Sequence, residues 1–335
     1  MEESAVQDVR EREALSMMRV FSGASHPELA QDICSHLGIP LSPVARQRFS
    51  NDCLYIQLGQ TVRNHDVFIV QSISTPTSDH IIELLMMLDI ARSAGARSVH
   101  ALIPYFSYAR SDKKDAPRIS ITARLMADLI GASGAKHVMT MSLHSPQVHG
   151  FFSVPTDHLT ALPCFVEYFK KRDLTGTVVV SPDIGHAKRA TKLAAALGGL
   201  PVTAGNKVRI SDTQVALREW VGARPRGARH ALLFDDEIAN GGTMFEAIRA
   251  LFPLSDMCKR VRLFAFSSRR SFAARVFDGS DPVSFPAYQP SKRRQVHQFV
   301  KDIQVRMQPG GQMRASYFTI ETQWRQTDPI ADAVP

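Results

Sequence analysis

The chain has 335 residues, of which 44% are hydrophobic, and a formal net charge of +8 at pH 7. This length is enough for a large core and predicts two domains of ordinary size. No apolar run approaches the roughly 18 residues of a membrane span, and the acidic start has no signal-peptide character. We therefore expect a cytoplasmic protein without a membrane partner.

Two further features of the composition exclude other classes of protein. Lysines and arginines are spread along the chain, which argues against nucleic acid as the main partner and suits polyanionic small substrates. The cysteines lie far apart without a CxxC pair, so they fit reduced thiols better than disulfides or a zinc site. The four cysteines are Cys34, Cys53, Cys164 and Cys258.

The first half of the chain alternates segments that have the character of strands and helices. Strands are predicted at residues 19–22, 54–58, 67–71, 98–104 and 137–141. Helices are predicted at residues 25–37, 78–94 and 119–134. Ser25 and Glu28 have the spacing of a capping box for the first helix, and Gly38 is placed to end it. Such alternation predicts a parallel sheet flanked by helices.

The second half repeats this pattern, with strands predicted at 177–180 and 231–234 and a helix at 187–197. The predicted fold class is therefore α/β, with two tandem domains that are each a mainly parallel sheet flanked by helices. The expected divisions are a flexible extension at 1–17, a first domain at 18–160 and a second domain at 161–335. Beyond about residue 270 the pattern loosens, so we expect a divergent tail.

One stretch of the second half, ALLFDDEIANGGT at residues 231–243, has a pattern typical of a phosphate-binding turn. A buried strand is followed by Asp235 and Asp236, then by a glycine pair, and then by apolar residues at helical spacing. Backbone N–H groups at a helix start can bind a phosphate, and glycine lets the backbone approach closely. The two carboxylates suit the hydroxyls of a ribose or a Mg²⁺ ion. A pentose 5-phosphate would satisfy both ends of the motif.

The same residues permit a simpler interpretation, in which Asn240 and Gly241 form a hairpin turn and the aspartates are a solvated strand end. The helical periodicity of residues 244–252 argues against a hairpin. In both interpretations we expect the side chains of Asp235 and Asp236 to lie on a turn outside the core.

This stretch resembles the phosphoribosyl pyrophosphate loop that phosphoribosyltransferases and ribose-phosphate pyrophosphokinases share. The resemblance implies that the two aspartates and the turn hold a pentose phosphate. The turn residues are Ala239, Asn240, Gly241, Gly242 and Thr243. Ala239 stands where the family often has an acid, and Asn240 stands where it has threonine. The motif alone indicates a class of ligand and not a reaction.

The first half resembles the pyrophosphokinases in particular. FSGASHPELA is similar to their opening strand and helix, and RFSND resembles the segment that holds the adenine of ATP. The resemblance implies that Phe49 stacks on the base and that Asn51 hydrogen-bonds to its edge. Cys53 stands where the family has glutamate. This substitution removes an acceptor for the adenine amino group, so we expect looser selectivity for the base.

Two later segments resemble motifs that bind the phosphates of ATP. YARSDK resembles the family's Tyr-Ala-Arg-Gln-Asp-Lys signature, which implies ATP contacts from Arg110, Ser111 and Asp112. Arg110 can place a fork of donors on phosphate oxygens, whereas Ser111 is shorter than the usual glutamine. MSLH resembles the family's Met-Asp-Leu-His segment, in which the histidine, here His144, meets the ATP phosphates and a metal ion. Ser142 replaces the acid of that segment.

Two segments of the second half complete the resemblance. In VVSPDIGHAKR, Asp183 matches an aspartate that lies at the sugar and the metal, and His186 stands where glycine is usual, which predicts a tighter loop. In AGNKVRISD, Lys207 and Arg209 match the Lys-x-Arg of the family's mobile catalytic loop. Alternation places both on one side of an extended segment, as candidate clamps for charge that develops during phosphoryl transfer.

The ordered motifs span about residues 19–270 and identify the chain as a member of the ribose-phosphate pyrophosphokinase family. This implies an enzyme that transfers the diphosphoryl group of ATP to the anomeric hydroxyl of ribose 5-phosphate, giving phosphoribosyl pyrophosphate and AMP. The first domain would bind ATP and the second would bind ribose 5-phosphate. The implied catalytic residues are Lys207, Arg209 and His144. Mg²⁺ is the implied cofactor, held by His144 and Asp183, and the implied assembly is a homo-oligomer built from dimers, up to a hexamer.

Two alternatives stay open. A phosphoribosyltransferase shares the loop at residues 231–243, but it would not need RFSND, YARSD or the pair Lys207 and Arg209. A non-catalytic regulatory paralogue is consistent with the departures from the family at supporting positions. These positions are Cys53, Ser142, Ala239 and Asn240. An assay with ATP and ribose 5-phosphate distinguishes the three classes.

Overall fold

The protein is described from a computed structural model. The described residues are 13–209, 215–222, 228, 230–236, 247, 260–265, 301–307 and 313–319. Within them the chain forms two large sheets and a separate two-stranded hairpin, with helices packed on the sheets. No helix in these ranges is both long and apolar enough to cross a membrane.

The first half contains eight strands and three α-helices whose full length lies within the described residues, and residues 13–16 are also helical. The strands are β1 (Met18–Ser22), β2 (Leu41–Ser42), β3 (Val44–Arg48), β4 (Leu54–Leu58), β5 (Asp66–Val70), β6 (Ser98–Ile103), β7 (His137–Met141) and β8 (Thr156–Leu159). The helices are α1 (Pro27–Leu37), α2 (Thr77–Ser93) and α3 (Thr122–Ala132). The predicted strands and helices of this half all form, with ends that shift by a few residues.

The second half contributes the remaining elements of the described ranges. The strands are β9 (Thr177–Ser181), β10 (Val202–Arg209), β11 (Val215–Gly222), β12 (His230–Asp235), β13 (Arg260–Ala265), β14 (Lys301–Met307) and β15 (Met313–Thr319). The helices are α4 (Leu162–Lys170) and α5 (Ala187–Ala196). The helix predicted after Thr243 and the turn at residues 239–243 lie outside the described residues, apart from Ala247, which is helical.

The first sheet has the strand order β2-β1-β5-β6-β7-β8, and every neighbouring pair is parallel. Side chains of a strand alternate between the two faces. Val67 and Ile69 of β5 pack with α2 and α3 in the main core, whereas Val70 packs with α1 on the opposite face. Helices therefore cover both faces, as expected for a parallel sheet.

The second sheet has the order β11-β10-β9-β12-β13-β14-β15. Its four central strands are parallel, and antiparallel strands extend both edges. Phe165 of α4 and Leu193 of α5 pack against Val179 of β9 and Leu232 of β12 in a second core. The predicted α/β class with two parallel-sheet units is confirmed.

The start of the first helix differs from its prediction. The helix begins at Pro27, its cap position is His26, and no side chain caps it, so the predicted capping box at Ser25 and Glu28 is wrong. Ser25 Oγ instead donates to the buried Gln71 Oε1 at 2.7 Å. The other end is confirmed, since Gly38 ends the helix with a φ of 69° that favours glycine.

The carboxyl ends of β6 and β7 lie against the second half of the chain. Tyr105, which follows β6, and Met141, the last residue of β7, both pack against the core formed by α4, α5, β9 and β12. The chain itself crosses over after β8, because Ala161 is already buried in that second core. Residues that follow the two groups of parallel strands are thereby brought together.

Candidate active site

The site lies where three parallel strands end. His144 follows β7 of the first sheet, Asp183 follows β9, and Asp235 and Asp236 are at the end of β12. In open α/β sheets, ligands gather at the carboxyl ends of the strands. The structure therefore brings together four of the predicted site residues from both halves of the chain.

Asp236 is the centre of the site. Its Oδ2 lies 2.7 Å from His144 Nδ1 and 3.5 Å from Arg189 Nη1. Its Oδ1 lies 3.1 Å from His186 Nε2. One carboxylate of the second sheet is thus bound by a histidine of the first half and by two basic side chains that follow β9.

His186 connects the remaining aspartates to this centre. Its Nδ1 lies 3.0 Å from Asp183 Oδ1 and 3.5 Å from Asp235 Oδ1. Its backbone N–H also donates to Asp183 Oδ1, at 3.1 Å, and this bond closes the short turn between β9 and α5. The turn is therefore fixed by the same carboxylate that holds the imidazole ring.

Arg189 joins the helix after β9 to the turn after β7. Its Nη2 donates to the carbonyl oxygen of Leu143 at 2.5 Å and to that of His144 at 3.3 Å. The guanidinium fork can bind two carbonyls and a carboxylate at once, which an ammonium group matches less well. Arg189 therefore positions the backbone that carries His144.

The carboxylates govern protonation in this cluster. Burial works to lower the pKa of His186, but hydrogen bonds to Asp183 and Asp236 outweigh it and raise the pKa to about 10. Burial likewise opposes ionisation of Asp236, yet hydrogen bonds from His144 and His186 hold its pKa far below the usual range. Burial and the neighbouring Asp236 charge raise the pKa of Asp235. A positive imidazole thus faces an ionised carboxylate.

The expectation that the two aspartates lie on a turn outside the core is wrong. Asp235 is 7% exposed and Asp236 is 6% exposed. The reason is that β12 is a central strand of the sheet, and side chains from the turns after β7 and β9 close over its end. The ionised Asp236 is buried among cations, so its charge is not screened by solvent as that of a surface pair would be.

Ser142, which replaces the family's acid, has a structural contact. Its Oγ accepts a hydrogen bond from the backbone N–H of Ala161 at 3.1 Å, and its φ of 48° turns the chain sharply after β7. The next backbone N–H, that of Leu143, donates to His158 Nε2 at 3.0 Å. The turn that presents His144 is thus fixed from β8 and from the start of α4.

The ATP-binding residues predicted after β6 lie beside the same cleft. A small cleft is lined by Tyr105, Phe106, Ser107 and Ala109 of this segment, by residues 141–144 and by Asp236. Arg110 ends the short helix that follows β6 and is exposed. Ser111 Oγ accepts from Thr122 N at the start of α3, and Asp112 Oδ2 accepts from Gln147 Nε2 at 2.8 Å.

Phe49 and Asn51 lie elsewhere, at the tip of the hairpin formed by β3 and β4. Phe49 is 51% exposed and contacts Tyr55, with ring centroids 5.8 Å apart. Asn51 Oδ1 accepts from Cys53 N at 3.2 Å. Both of these contacts are within the hairpin, and neither side chain is among those that line the cleft beside Asp236.

The remaining predicted residues lie near the end of a described range or outside the described residues. Lys207 and Arg209 are in β10, where they pair with Leu217 and Val215 of the antiparallel β11. The sugar-phosphate turn of Ala239, Asn240, Gly241, Gly242 and Thr243 lies outside the described residues.

The donor set suits a divalent cation. Ligand atoms of His144, His186 and Asp236 all lie within 4.8 Å of one another. Asp183 adds a carboxylate that touches the same histidine. Carboxylate oxygens and imidazole nitrogens are common ligands of divalent ions in proteins.

The sequence motifs assign no role to His186 beyond its replacement of glycine. The structure places it in a three-residue helical turn. The signal that could have indicated its role is its spacing, because residues three apart on a helical turn lie on one face. That spacing placed its ring beside Asp183, whereas its contact with Asp236 depends on the order of β9 and β12 in the sheet.

Known proteins are similar to this chain over most of its length. A family profile described as the N-terminal domain of ribose phosphate pyrophosphokinase matches residues 18–134. The ribose-phosphate pyrophosphokinase of Deinococcus radiodurans is 49% identical over 236 residues, which are 70% of this chain and 72% of that protein. That of Synechocystis sp. is 40% identical over 234 residues, which are 70% of each chain.

A solved structure shows the same fold. The phosphoribosylpyrophosphate synthetase from Mycobacterium smegmatis matches with a TM-score of 0.71 and 31% sequence identity, covering 80% of this chain and 87% of that one. The two mainly parallel sheets agree with this structural match. The chain belongs to the ribose-phosphate pyrophosphokinase family.

Proposed function

We propose that the protein transfers the diphosphoryl group of ATP to ribose 5-phosphate. The anomeric oxygen of the sugar forms a bond to the β-phosphorus, and the bond from that phosphorus to the α,β-bridging oxygen breaks. The hydroxyl proton is released, the electron pair stays on the phosphate of AMP, and the other product is phosphoribosyl pyrophosphate. Transfers of this kind need in-line positioning and neutralisation of charge more than a dedicated base.

One observation carries this proposal. His144, from the half of the chain expected to bind ATP, is 2.7 Å from Asp236, from the half expected to bind the sugar. A residue suited to triphosphate and a residue suited to ribose hydroxyls thus meet at one point. Two substrates held on either side of this contact would have their reacting ends close together, which is the main requirement of the transfer.

On the nucleotide side, we assign ATP to residues 18–160. Phe49 and Asn51 would hold the adenine, although their contacts in this chain stay within the hairpin. The phosphates would contact the segment after β6 and the turn after β7. The residues assigned there are Arg110, Ser111, Asp112 and His144. The exposed position of Arg110 beside the cleft supports a role at the phosphates.

On the sugar side, we assign ribose 5-phosphate to residues 161–335. Asp235 and Asp236 would accept from the ribose hydroxyls, and Asp183 would lie near the anomeric carbon. The 5-phosphate would bind the backbone of the turn that follows. The residues of that turn are Ala239, Asn240, Gly241, Gly242 and Thr243. The burial of the aspartates supports this assignment, because a carboxylate removed from water gains more from a bound hydroxyl.

Lys207 and Arg209 complete the proposed machinery. They lie two residues apart near the end of β10. Two cations there would bind the negative charge that builds up between the β-phosphorus and the departing AMP. Such interactions act mainly in the transition state and so raise turnover more than they raise affinity.

We further propose Mg²⁺ as the cation, held by His144 and Asp183 together with phosphate oxygens. When bound, it would neutralise charge on the transferred group. His186 and Arg189 hold the nearby carboxylate of Asp236 in place. We also propose that the enzyme works in the cytoplasm as a homo-oligomer built from dimers, up to a hexamer.

The proposal is tested by ³¹P NMR of the full chain with ATP, ribose 5-phosphate and Mg²⁺. AMP and phosphoribosyl pyrophosphate should appear in equal amounts, and only when the sugar phosphate is present. Because Cys53 replaces an acceptor for the adenine amino group, other nucleoside triphosphates belong in the same series. Formation of ADP and inorganic phosphate would contradict diphosphoryl transfer. Inactivity with every nucleotide would favour the regulatory paralogue.

A further inference from the structure

Two histidines lie side by side on the first sheet, away from the candidate active site. His100 of β6 and His137 of β7 are direct cross-strand partners, and the Nδ1 atoms of the two rings are 3.3 Å apart. His137 is the first residue of β7, whereas the cleft beside Asp236 is lined by Met141 at the other end of that strand. The pair is therefore a separate feature, which the proposed reaction does not use.

The far nitrogen of each ring is held by an acceptor. Asp157 Oδ2 lies 3.1 Å from His137 Nε2, and a carboxylate can only accept, so this nitrogen carries the hydrogen. Ser98 Oγ lies 2.8 Å from His100 Nε2. The same hydroxyl donates its single hydrogen to Asp66 Oδ1 at 2.6 Å, so its oxygen can only accept from His100 Nε2.

These contacts leave a lone pair on each Nδ1 atom. In a neutral imidazole one nitrogen donates and the other accepts, so two rings that both donate from Nε2 both accept at Nδ1. Two acceptors that are 3.3 Å apart repel each other unless a cation lies between them. Burial and the neighbouring His137 lower the pKa of His100, which favours the neutral ring that a metal ion requires.

The spacing of the two nitrogens fits a tetrahedral ion. Zn²⁺ binds histidine nitrogen at about 2.0–2.1 Å, so two nitrogens 3.3 Å apart subtend about 104–111° at the ion, a range that includes the tetrahedral angle of about 109°. Phe68 stacks on His100, with ring centroids 4.4 Å apart, and fixes the plane of that ring. Asp157 supports the other ring directly, as a carboxylate usually supports a metal-ligating histidine.

We infer that His100 Nδ1 and His137 Nδ1 bind a transition ion of the class of Zn²⁺ or Cu²⁺, with water in the remaining positions. Imidazole nitrogen suits such ions, whereas Mg²⁺ prefers oxygen ligands. The side chain of His137 is 20% exposed, so solvent reaches the pair. A bound ion would join β6 to β7 and, through Asp157, to β8 at the end of the sheet. The inference does not rest on the proposed function.

The test counts the ions that bind to the untagged, metal-free full chain, by equilibrium dialysis against Zn²⁺ in roughly 100-fold excess of Mg²⁺. His100→Gln and His137→Gln should each lower the number of Zn²⁺ ions bound per chain by one. Because the difference from the wild type is counted, any Zn²⁺ held by the cluster around Asp236 cancels. The matched control is His36→Gln, at an exposed histidine in the last turn of α1, and it should leave the number unchanged.

Two further variants test the orientation of the rings. Ser98→Ala and Asp157→Asn keep both imidazoles but remove the acceptors of their far nitrogens, so each should weaken Zn²⁺ binding by about 10-fold. The side chain of Asp157 is 59% exposed, so its replacement does not disturb the core. Circular dichroism shows that each variant is folded.

Thermal unfolding gives a second readout, because an ion that binds only the folded chain stabilises it. Zn²⁺ should raise the Tm of the wild type and of His36→Gln more than that of His100→Gln. An unchanged ion count in both folded variants of the pair would overturn the inference and would show that a proton alone lies between the rings. An equal loss in His36→Gln would also overturn it. These measurements do not depend on turnover, so failure of diphosphoryl transfer would leave their outcome unaffected.

Discussion

Asp236 shows how much of the site depends on single side chains. Its carboxylate is buried, and it is bound by His144, His186 and Arg189, which come from two separate turns. A hydrogen bond to a charged group contributes about 1.5–3 kcal/mol, and a buried charge that loses a partner keeps its desolvation cost. Each of these contacts therefore matters for stability as well as for the reaction.

Arg189→Gln should lower the free energy of unfolding by about 1.5–3 kcal/mol, because Asp236 and the Leu143 and His144 carbonyls lose a charged donor. Arg189→Lys should recover only part of the lost free energy of unfolding, since an ammonium group lacks the forked donors of a guanidinium group. Urea unfolding measures the differences.

The matched control for that change is its neighbour, Lys188→Gln. Lys188 is exposed on α5 and carries the same charge, so its loss should change the free energy of unfolding by no more than about 0.5 kcal/mol. Equal effects at the two positions would show that net charge, and not the contacts of Arg189, decides stability here.

At the scale of elements, the start of β5 is tied to the start of β6 by one carboxylate. Asp66 Oδ1 accepts from Arg97 Nε at 2.9 Å and from Ser98 Oγ at 2.6 Å. The hydrogen bond from Arg97 lowers the pKa of Asp66 to about 2. The pKa of an aspartate in the unfolded chain is about 3.9. The stability that ionised Asp66 contributes is therefore complete above about pH 5 and is lost as the pH falls toward 2.

Asp66→Asn should therefore destabilise the protein by about 1–2 kcal/mol at pH 7, a value reduced for the exposure of Arg97. The difference from the wild type should shrink as the pH is lowered from 5 to 3. Urea unfolding across this range is the measurement. The control is Asp128→Asn, which removes an exposed partner of Arg124 and should cost less than about 0.5 kcal/mol. A pH-independent difference at Asp66 would contradict the assigned pKa.

A second prediction at this scale concerns the hairpin of β10 and β11. Lys207→Ala and Arg209→Ala should each lower kcat by about 100-fold or more and change KM for ATP only a few-fold, because the proposed clamps act on the transition state. Steady-state kinetics separates the two constants. Lys171→Ala, on the exposed side of α4, serves as the control and should change neither. An effect confined to KM would rule out the clamp role.

At the scale of the whole molecule, local sequence pattern predicted the strands and helices. Tertiary contacts decided which partners the individual side chains bind. Strands and helices of the first half could be predicted because apolar periodicity is written in neighbouring residues. Ser25 shows the limit, since its spacing to Glu28 indicated a cap while the folded chain uses it to bind Gln71, 46 residues away. Only the fold revealed that partner.

The features of the site likewise divide into those that local sequence predicts and those that depend on the tertiary fold. Asp183, Asp235 and His144 could be predicted as site residues because each lies at the end of an apolar strand, or within three residues of it, and matches a family motif. Their burial and the contacts of His186 could not, because these depend on the order of β9 and β12 and on the packing of β7 against the second half. The assignments of Phe49 and Lys207 stay predictions.

The central claim is that the β-phosphorus of ATP moves to the sugar, and its most direct test follows labelled phosphorus. The full chain is incubated with ribose 5-phosphate, Mg²⁺ and ATP labelled with ³²P at either the α or the β position, and the products are separated by ion exchange. The α label should remain in AMP, and the β label should appear in phosphoribosyl pyrophosphate at the same rate. Recovery of the β label in ADP would contradict the account.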